Sequence, residues 1–241
     1  MRIQAWSDGG GTQSTGIAAL IYTGQLKPPD VAIIVDTERE ASQTWEYHEK
    51  ITKPKLLEVG VVVHRVSKSK YATVDLYGGK EKDTLLIPAF TNQSGKIGKL
   101  PTFCSNEWKE RVVRRFCNEL YPNAEGFDLW LGISRDEADR MRTGTGKWQY
   151  KHPLVDDKRW MNRQDCLKLV RSLGWPDPPR SRCYMCPNQG PREWQDLETN
   201  WPEDFAKAMA FEAEIQKRDP NVFLRDESGS QGDCMSGLCF V

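Results

Sequence analysis

The first 35 residues confine this chain to few architectures. Residues 3–7, Ile-Gln-Ala-Trp-Ser, read as a short strand, Asp8-Gly9-Gly10-Gly11-Thr12-Gln13 as a turn, and residues 14–23 as a helix. Gly24 ends that helix and Pro28-Pro29 prevents its continuation. Residues 31–35, Val-Ala-Ile-Ile-Val, then form the wholly apolar run of a strand buried on both faces. Strands covered on both sides belong to parallel sheets flanked by helices. The repeated strand-helix order therefore predicts an α/β fold with a doubly wound parallel sheet.

The rest of the chain extends that pattern. A helix is expected over residues 42–59, broken or kinked at Pro54, with strands over 61–66 and 127–132. Residues 67–103 show no sustained period and read as a long excursion at the rim of the sheet, a usual place for a lid. Helices follow over 105–120, with Ser105 as N-cap, over 162–173, capped by Asn162 and closed by Gly174, and over 203–218. Residues 219–241 are a polar tail. The expected division is a nucleotide-binding α/β domain over residues 1–180 and a helical, cysteine-containing C-terminal part over 181–241.

At 241 residues the chain can bury a core without disulfide staples. Its 34 basic side chains are matched by 34 acidic ones, which argues against a surface wholly given to nucleic acid or to an anionic membrane and leaves local patches open. The apolar runs are about half a dozen residues long, far short of the roughly 20 that a membrane helix needs. No secretory signal core is visible, so the expected compartment is the cytosol. Seven cysteines there point to metal or redox chemistry rather than to structural disulfides.

Three glycines between a buried strand and a helix N-terminus let backbone N–H groups converge on an anion without side-chain obstruction. The loop is a candidate phosphate or sulfate cradle. No Gly-Lys-Ser/Thr closes it, and the Gly-x-Gly-x-x-Gly spacing of dinucleotide folds is missing. Cys183-Tyr184-Met185-Cys186-Pro187 places two thiols at i and i+3 in a turn fixed by proline, a spacing that suits one metal or one cluster. Cys104, ahead of a helix, is the natural third ligand. Cys117 and Cys166 fall within amphipathic helices and read as small buried apolar residues. Arg135, Arg140 and Arg142 follow the fourth strand, where guanidinium groups are suited to clamp phosphate or sulfate. The dispersed tryptophans read as core packing, and none of His48, His64 and His152 is assigned to metal.

Ser7 to Ser14, Ser-Asp-Gly-Gly-Gly-Thr-Gln-Ser, resembles the pyrophosphate-binding loop of the adenine nucleotide α-hydrolase (PP-loop) superfamily, and in particular of the phosphoadenosine phosphosulfate (PAPS) reductase family. Ile34-Val35-Asp36-Thr37, the segment from Gly132 to Arg142, and His152-Pro153-Leu154-Val155-Asp156 resemble further segments of that family in the same order. The resemblance spans roughly residues 3–190. It implies an adenine nucleotide held by Ser7, Gly9, Gly10, Gly11, Thr12, Gln13 and Ser14, with Asp36, Thr37, Gly132, Arg135, Arg140 and Arg142 around its phosphate and sulfate. ATP-hydrolysing members usually carry Asp where Gln13 stands, whereas sulfonucleotide reductases tend to carry Gln.

The cysteines are similar to those of adenosine-phosphosulfate (APS) reductases, whose 4Fe-4S cluster is held by a Cys-Cys pair and a later Cys-x-x-Cys-Pro pair. Cys183 and Cys186 match the later pair and Cys104 one member of the earlier. Either a tail cysteine supplies the fourth ligand, Cys239 first and Cys234 as its alternative, or one iron stays open as in cluster-dependent tRNA thiolation enzymes of the superfamily. Zinc on the same thiolates is the alternative. Reductases of this kind carry their nucleophile in a C-terminal tail, which makes Cys239 and Cys234 the candidate catalytic cysteines.

The leading reading is an oxidoreductase that reduces APS or PAPS to sulfite through a tail thiolate, with a thioredoxin-like protein as reductant. A second is an ATP-dependent, cluster-dependent sulfur transferase acting on a nucleobase in RNA or DNA, with Lys109, Arg111, Arg114 and Arg115 tracking phosphates. A third is a non-catalytic nucleotide-binding redox module.

Overall fold

The computed structural model of the protein describes residues 1–78, 84–92 and 95–225. Strand β1 (Arg2–Asp8), helix α1 (Thr12–Tyr22) and strand β2 (Val31–Asp36) follow one another as the opening sequence predicts. The helix expected around Pro54 is a single run of three parts, α2 (Ser42–Tyr47), a π-helical turn (His48–Thr52) and α3 (Lys53–Glu58). Proline has no N–H, and its ring crowds the carbonyl one turn earlier. The chain accommodates this by widening into a π turn ahead of Pro54 instead of breaking.

Strand β3 (Val63–Ser67) and helix α4 (Lys68–Tyr71) come next, then two small antiparallel pairs, β4 (Tyr77–Gly78) with β5 (Thr84–Leu85) and β6 (Phe90–Thr91) with β7 (Gly98–Lys99). A second π turn (Asn106–Glu110) leads into α5 (Arg111–Leu120). Ser105 is already helical, with φ −59° and ψ −43°, so the helix starts ahead of the residue expected to cap it. Strand β8 (Gly126–Trp130), a 3-10 turn (Arg135–Arg140), β9 (Trp148–Lys151) and the hairpin of β10 (Val155–Asp156) and β11 (Arg159–Trp160) precede α6 (Arg163–Ser172). Asn162 caps α6 in a reciprocal box: its Oδ1 accepts from the Asp165 N–H at 2.8 Å, and the Asp165 carboxylate accepts from the Asn162 N–H at 3.0 Å. Helices α7 (Pro191–Asn200) and α8 (Pro202–Gln216) and strand β12 (Val222–Phe223) complete the described chain.

The five long strands form a parallel sheet in the order β3-β2-β1-β8-β9. Side chains alternate along β1: Trp6 joins Ile17, Leu20, Leu56 and Val170 on one face, while Ile3 and Ala5 join Ile33, Val113 and Phe127 on the other. The fold is α/β, a doubly wound parallel sheet with a helical C-terminal part. Cys166 and Cys117 are fully buried in these two cores, as small apolar residues are. Because the chain leaves β1 toward β2 on one side and later returns to β8 on the other, a crevice opens at the carboxyl ends of β1 and β8, where ligands of such sheets bind.

A third core departs from the lid expected over residues 67–103. Leu85, Leu86, Ile87 and Ala89 pack with Trp108, Met185, Trp194 and Leu197, and β12 pairs with β6. The apolar triplet 85–87 has no period of its own because its partners lie about a hundred residues further along. Among the described residues, no helix is long and apolar enough to cross a membrane.

Candidate functional site

A cavity of about 370 Å³ lies at the crevice, lined by residues 7–9 and 11–14, by Ile34 and Val35 of β2, and by residues 131–133 after β8. Its floor is the N-terminus of α1. Gly11 holds the N-cap position, and no side chain caps the helix. Its first N–H groups therefore face a cavity carrying the positive end of the helix dipole. Close approach of neighbouring segments explains the glycines. Gly10 has φ +70°, and a Cβ there would stand 2.8 Å from the Thr44 methyl. A Cβ on Gly11 would meet the Ser181 backbone N at 3.0 Å, and one on Gly132 would meet Ser14 Oγ at 3.3 Å.

The loop is held from within. The Gly9 N–H donates to Ser14 Oγ and the Gly10 N–H to Asp8 Oδ1, both at 2.8 Å. Asp8 is buried, and its second oxygen lies 3.5 Å from Nδ1 of His48, also buried. Burial raises the Asp8 carboxyl above its ordinary range, with His48 acting in the opposite direction. Gln13 donates to Glu137 at 3.2 Å and to Ser134 Oγ at 3.5 Å, which ties the start of α1 to the turn after β8.

The three described candidate ligands come together beside this cavity. Cys104, Cys183 and Cys186 line a second, smaller cavity of about 40 Å³. The Cys104 N–H donates to the Leu86 carbonyl at 2.9 Å. Cys183 lies in an isolated antiparallel bridge with Glu40, and the Cys186 N–H closes the turn onto the Cys183 carbonyl at 3.1 Å. Burial pushes the Cys104 thiol up to about 12, the neighbouring Cys186 adds to the rise, and Lys109 opposes it. Burial also raises Cys183, with Glu40 adding and Lys109 opposing.

Lys109 lines both cavities. Its ammonium lies 3.4 Å from Glu40, whose other oxygen accepts from Ser181 Oγ at 2.8 Å. Burial disfavours its charge, but Glu40 and the thiols outweigh that and hold its pKa above the ordinary lysine range. The sequence suggests a basic helix here whose Lys109, Arg111, Arg114 and Arg115 track the phosphates of a nucleic acid. Instead Lys109 turns inward, Arg111 pairs with Glu107 and Arg114 with Glu110, and Arg115 donates to the Tyr71 carbonyl.

Several residues named from the sequence stand elsewhere. Asp36 pairs with Arg65 at 2.6 Å and accepts the Glu38 N–H, and the fully buried Thr37 places its Oγ1 3.6 Å from Cys183 Sγ, so neither lines the glycine-loop cavity. Arg140 pairs with Glu137 and Arg142 with Glu110. Those two and Arg135 stay outside the cavity wall, where the guanidinium-bearing residues are Arg163 and Arg180. Arg163 opens α6 and Arg180 pairs with Glu193 at 2.8 Å. Cys234 and Cys239 lie outside the described residues. Glu40, Trp45, Ser181 and His48 gave no sequence signal, because each depends on a contact between distant segments.

The donor set suits an iron–sulfur group by its chemistry, with three thiols turned toward one cavity. Among the described residues, no three His, Cys, Asp or Glu side chains stand close enough together to hold a single ion. The zinc alternative thus gains no support, since one ion draws its thiolates to about 2.3 Å. A four-iron cluster spreads its ligands over a larger body.

No protein-family model matches the chain, and no curated protein does either. Among solved structures it is similar to the U34-tRNA thiolase NcsA from Methanococcus maripaludis with its 4Fe-4S cluster, at 14% identity and a TM-score of 0.43, over 97% of this chain and 69% of that one.

Proposed function

We propose that the protein is an adenine-nucleotide-dependent enzyme of sulfur transfer, in which the glycine loop binds the nucleotide and Cys104, Cys183 and Cys186 hold a 4Fe-4S cluster. The observation that supports this reading is the shared wall, with Lys109 facing the loop cavity on one side and the thiols on the other. The uncapped N–H groups of α1 bind the phosphates, and Arg163 stands at the rim of the same cavity. A carbonyl oxygen of the acceptor, a nucleobase in RNA or DNA, attacks the α-phosphorus of ATP and pyrophosphate leaves. Sulfur at the sulfide level then adds to the activated carbon and AMP departs. A cluster on the three cysteines would supply an iron site at which sulfur is held for transfer. Residues 1–180 supply the glycine loop and Cys104, and the C-terminal part that starts at residue 181 supplies Cys183 and Cys186, in a reducing, cytosolic setting that keeps the thiols free.

Release of AMP and pyrophosphate from ATP, dependent on RNA or DNA, tests this reading, together with iron and sulfide analysis of anaerobically purified protein. Serine at Cys104, Cys183 or Cys186 should abolish iron retention. Sulfite from APS or PAPS with reduced thioredoxin, and no AMP from ATP, would replace it with the reductase reading. Gln13 favours that second reading, since it offers no carboxylate for a metal-bound triphosphate, and the nucleophile would then be Cys234 or Cys239. Binding without either turnover would leave a nucleotide-binding redox module.

A further inference from the structure

A carboxylate is an unexpected group to bury beneath a loop built for anions. Asp8 ends β1 directly ahead of the three glycines, and its side chain is fully buried. One of its oxygens is fixed by the Gly10 N–H at 2.8 Å. The other has no hydrogen-bond partner among the described residues and lies 3.5 Å from the imidazole Nδ1 of His48, which likewise has none. An isolated charge in this position would repel an incoming phosphate and would itself be costly to bury.

His48 reaches Asp8 through the π turn ahead of Pro54, and Thr44, one helical turn earlier, places its methyl against Gly10. The ring is held edge-on to Trp45 at 6.2 Å between centroids. The charged groups around the pair are Lys109, which acts on Asp8 from the segment before α5, and Glu49, the neighbour of His48 on its own turn. Ser14 of α1 adds a hydroxyl on the Asp8 side. Within the pair itself, one proton decides whether the floor of the loop is neutral or negative.

We infer that His48 is a positioning residue of the anion loop: Asp8 and His48 share one proton when phosphate is bound, so that the floor is neutral and Asp8 stays free to fix the Gly10 turn. This rests on the reading of the glycine loop as the nucleotide site. The pair's net charge, and not the imidazole as such, is what the loop requires. Removing the histidine alone leaves Asp8 without its partner, so that it either carries a negative charge beneath the phosphate or must draw a proton from solvent to bind it, whereas removing both titrating groups fixes neutrality and keeps an oxygen for the Gly10 N–H.

Titration calorimetry with ATP and with inorganic pyrophosphate, on the full chain, tests this. His48→Gln should weaken binding roughly 10- to 100-fold, the range expected for an uncompensated charged contact. The double variant Asp8→Asn with His48→Gln should recover to within about threefold of the unmodified protein by the same scale. The unmodified protein should bind more weakly at about pH 8.5 than at about pH 6, taking up a proton on binding, and the double variant, which keeps neither group of the pair, should flatten that dependence. A folded His48→Gln that binds like the unmodified protein would overturn the inference and leave the nucleotide site standing, as would a double variant no better than His48→Gln. An unmodified protein that binds neither anion at either pH would remove the nucleotide site and this inference with it.

Discussion

Lys109 and Glu40 meet at 3.4 Å in the wall between the glycine-loop cavity and the cysteine cavity. The Glu40 side chain is only 4% exposed, so the lysine is what makes its charge tolerable there. Truncating one partner of a buried pair strands the other, at about 3–5 kcal/mol. Lys109→Met should lower stability in denaturant unfolding by that order, and Glu40→Gln added to it should restore much of the loss. No recovery in the double variant would mean that the pair is not coupled.

Loading of a cluster on the thiols should depend steeply on pH. Burial holds Cys104 up at about 12 and raises Cys183 as well, so at neutral pH both enter as neutral thiols and each must give up its proton to become a ligand. Cluster loading should release protons and weaken as pH falls. Proton release compared across two buffers in calorimetry checks this. Loading without proton release would show thiolates already present. Alkylation of Cys104 in metal-free protein should be slow near neutrality and faster at alkaline pH.

Gly10→Ala combines a left-handed backbone with a Cβ 2.8 Å from the Thr44 methyl. The backbone term alone is roughly 1–2 kcal/mol. Thr44→Ser removes the methyl and keeps the hydroxyl, so the double variant should regain the steric part only. Thermal unfolding of the two variants separates the terms, and full recovery would assign the whole cost to packing.

Asp75 should contribute to stability on the acid side. Bidentate hydrogen bonding from Arg39, with Lys68 on the same carboxylate, lowers its pKa to about 2. A carboxyl held below its unfolded value near 3.9 stabilises the fold above that pH and loses the contribution as pH falls toward 2. Its side chain is 65% exposed, so solvent screening keeps the effect small. Asp75→Asn should lower the melting temperature at neutral pH, and the difference should vanish near pH 2. A difference unchanged by acid would point to lost packing instead.

The opening of the fold was legible because β1, the glycine turn and β2 are local signals: a short strand, three glycines and an apolar run. Strand β9 was not, since Trp148-Gln149-Tyr150-Lys151 pairs at the sheet edge on one side only, and its Trp148 finds its place by stacking on Phe127 at 4.4 Å. Helix α7 begins with Pro191 at its first position, which marks a helix start only once the preceding turn is known. In the site, the glycines and the Cys183–Cys186 pair stood out by spacing, and Cys104 by its place ahead of a helix. Lys109 and His48 did not, because each lies in a π turn, and a wider turn changes which residues share a face in a way that a 3.6-residue period cannot reveal.

The core shared by Leu86, Met185 and Trp194 has a consequence for assembly of the sulfur pocket. Cys104 hangs from the Leu86 carbonyl, while Cys183 and Cys186 flank Met185, so the thiols gather only after segments remote in the chain have closed on one another. A guest held by all three would act as a rivet through that seam. Loosening the seam would cost the chain its guest while the sheet, and the loop at its edge, remained folded.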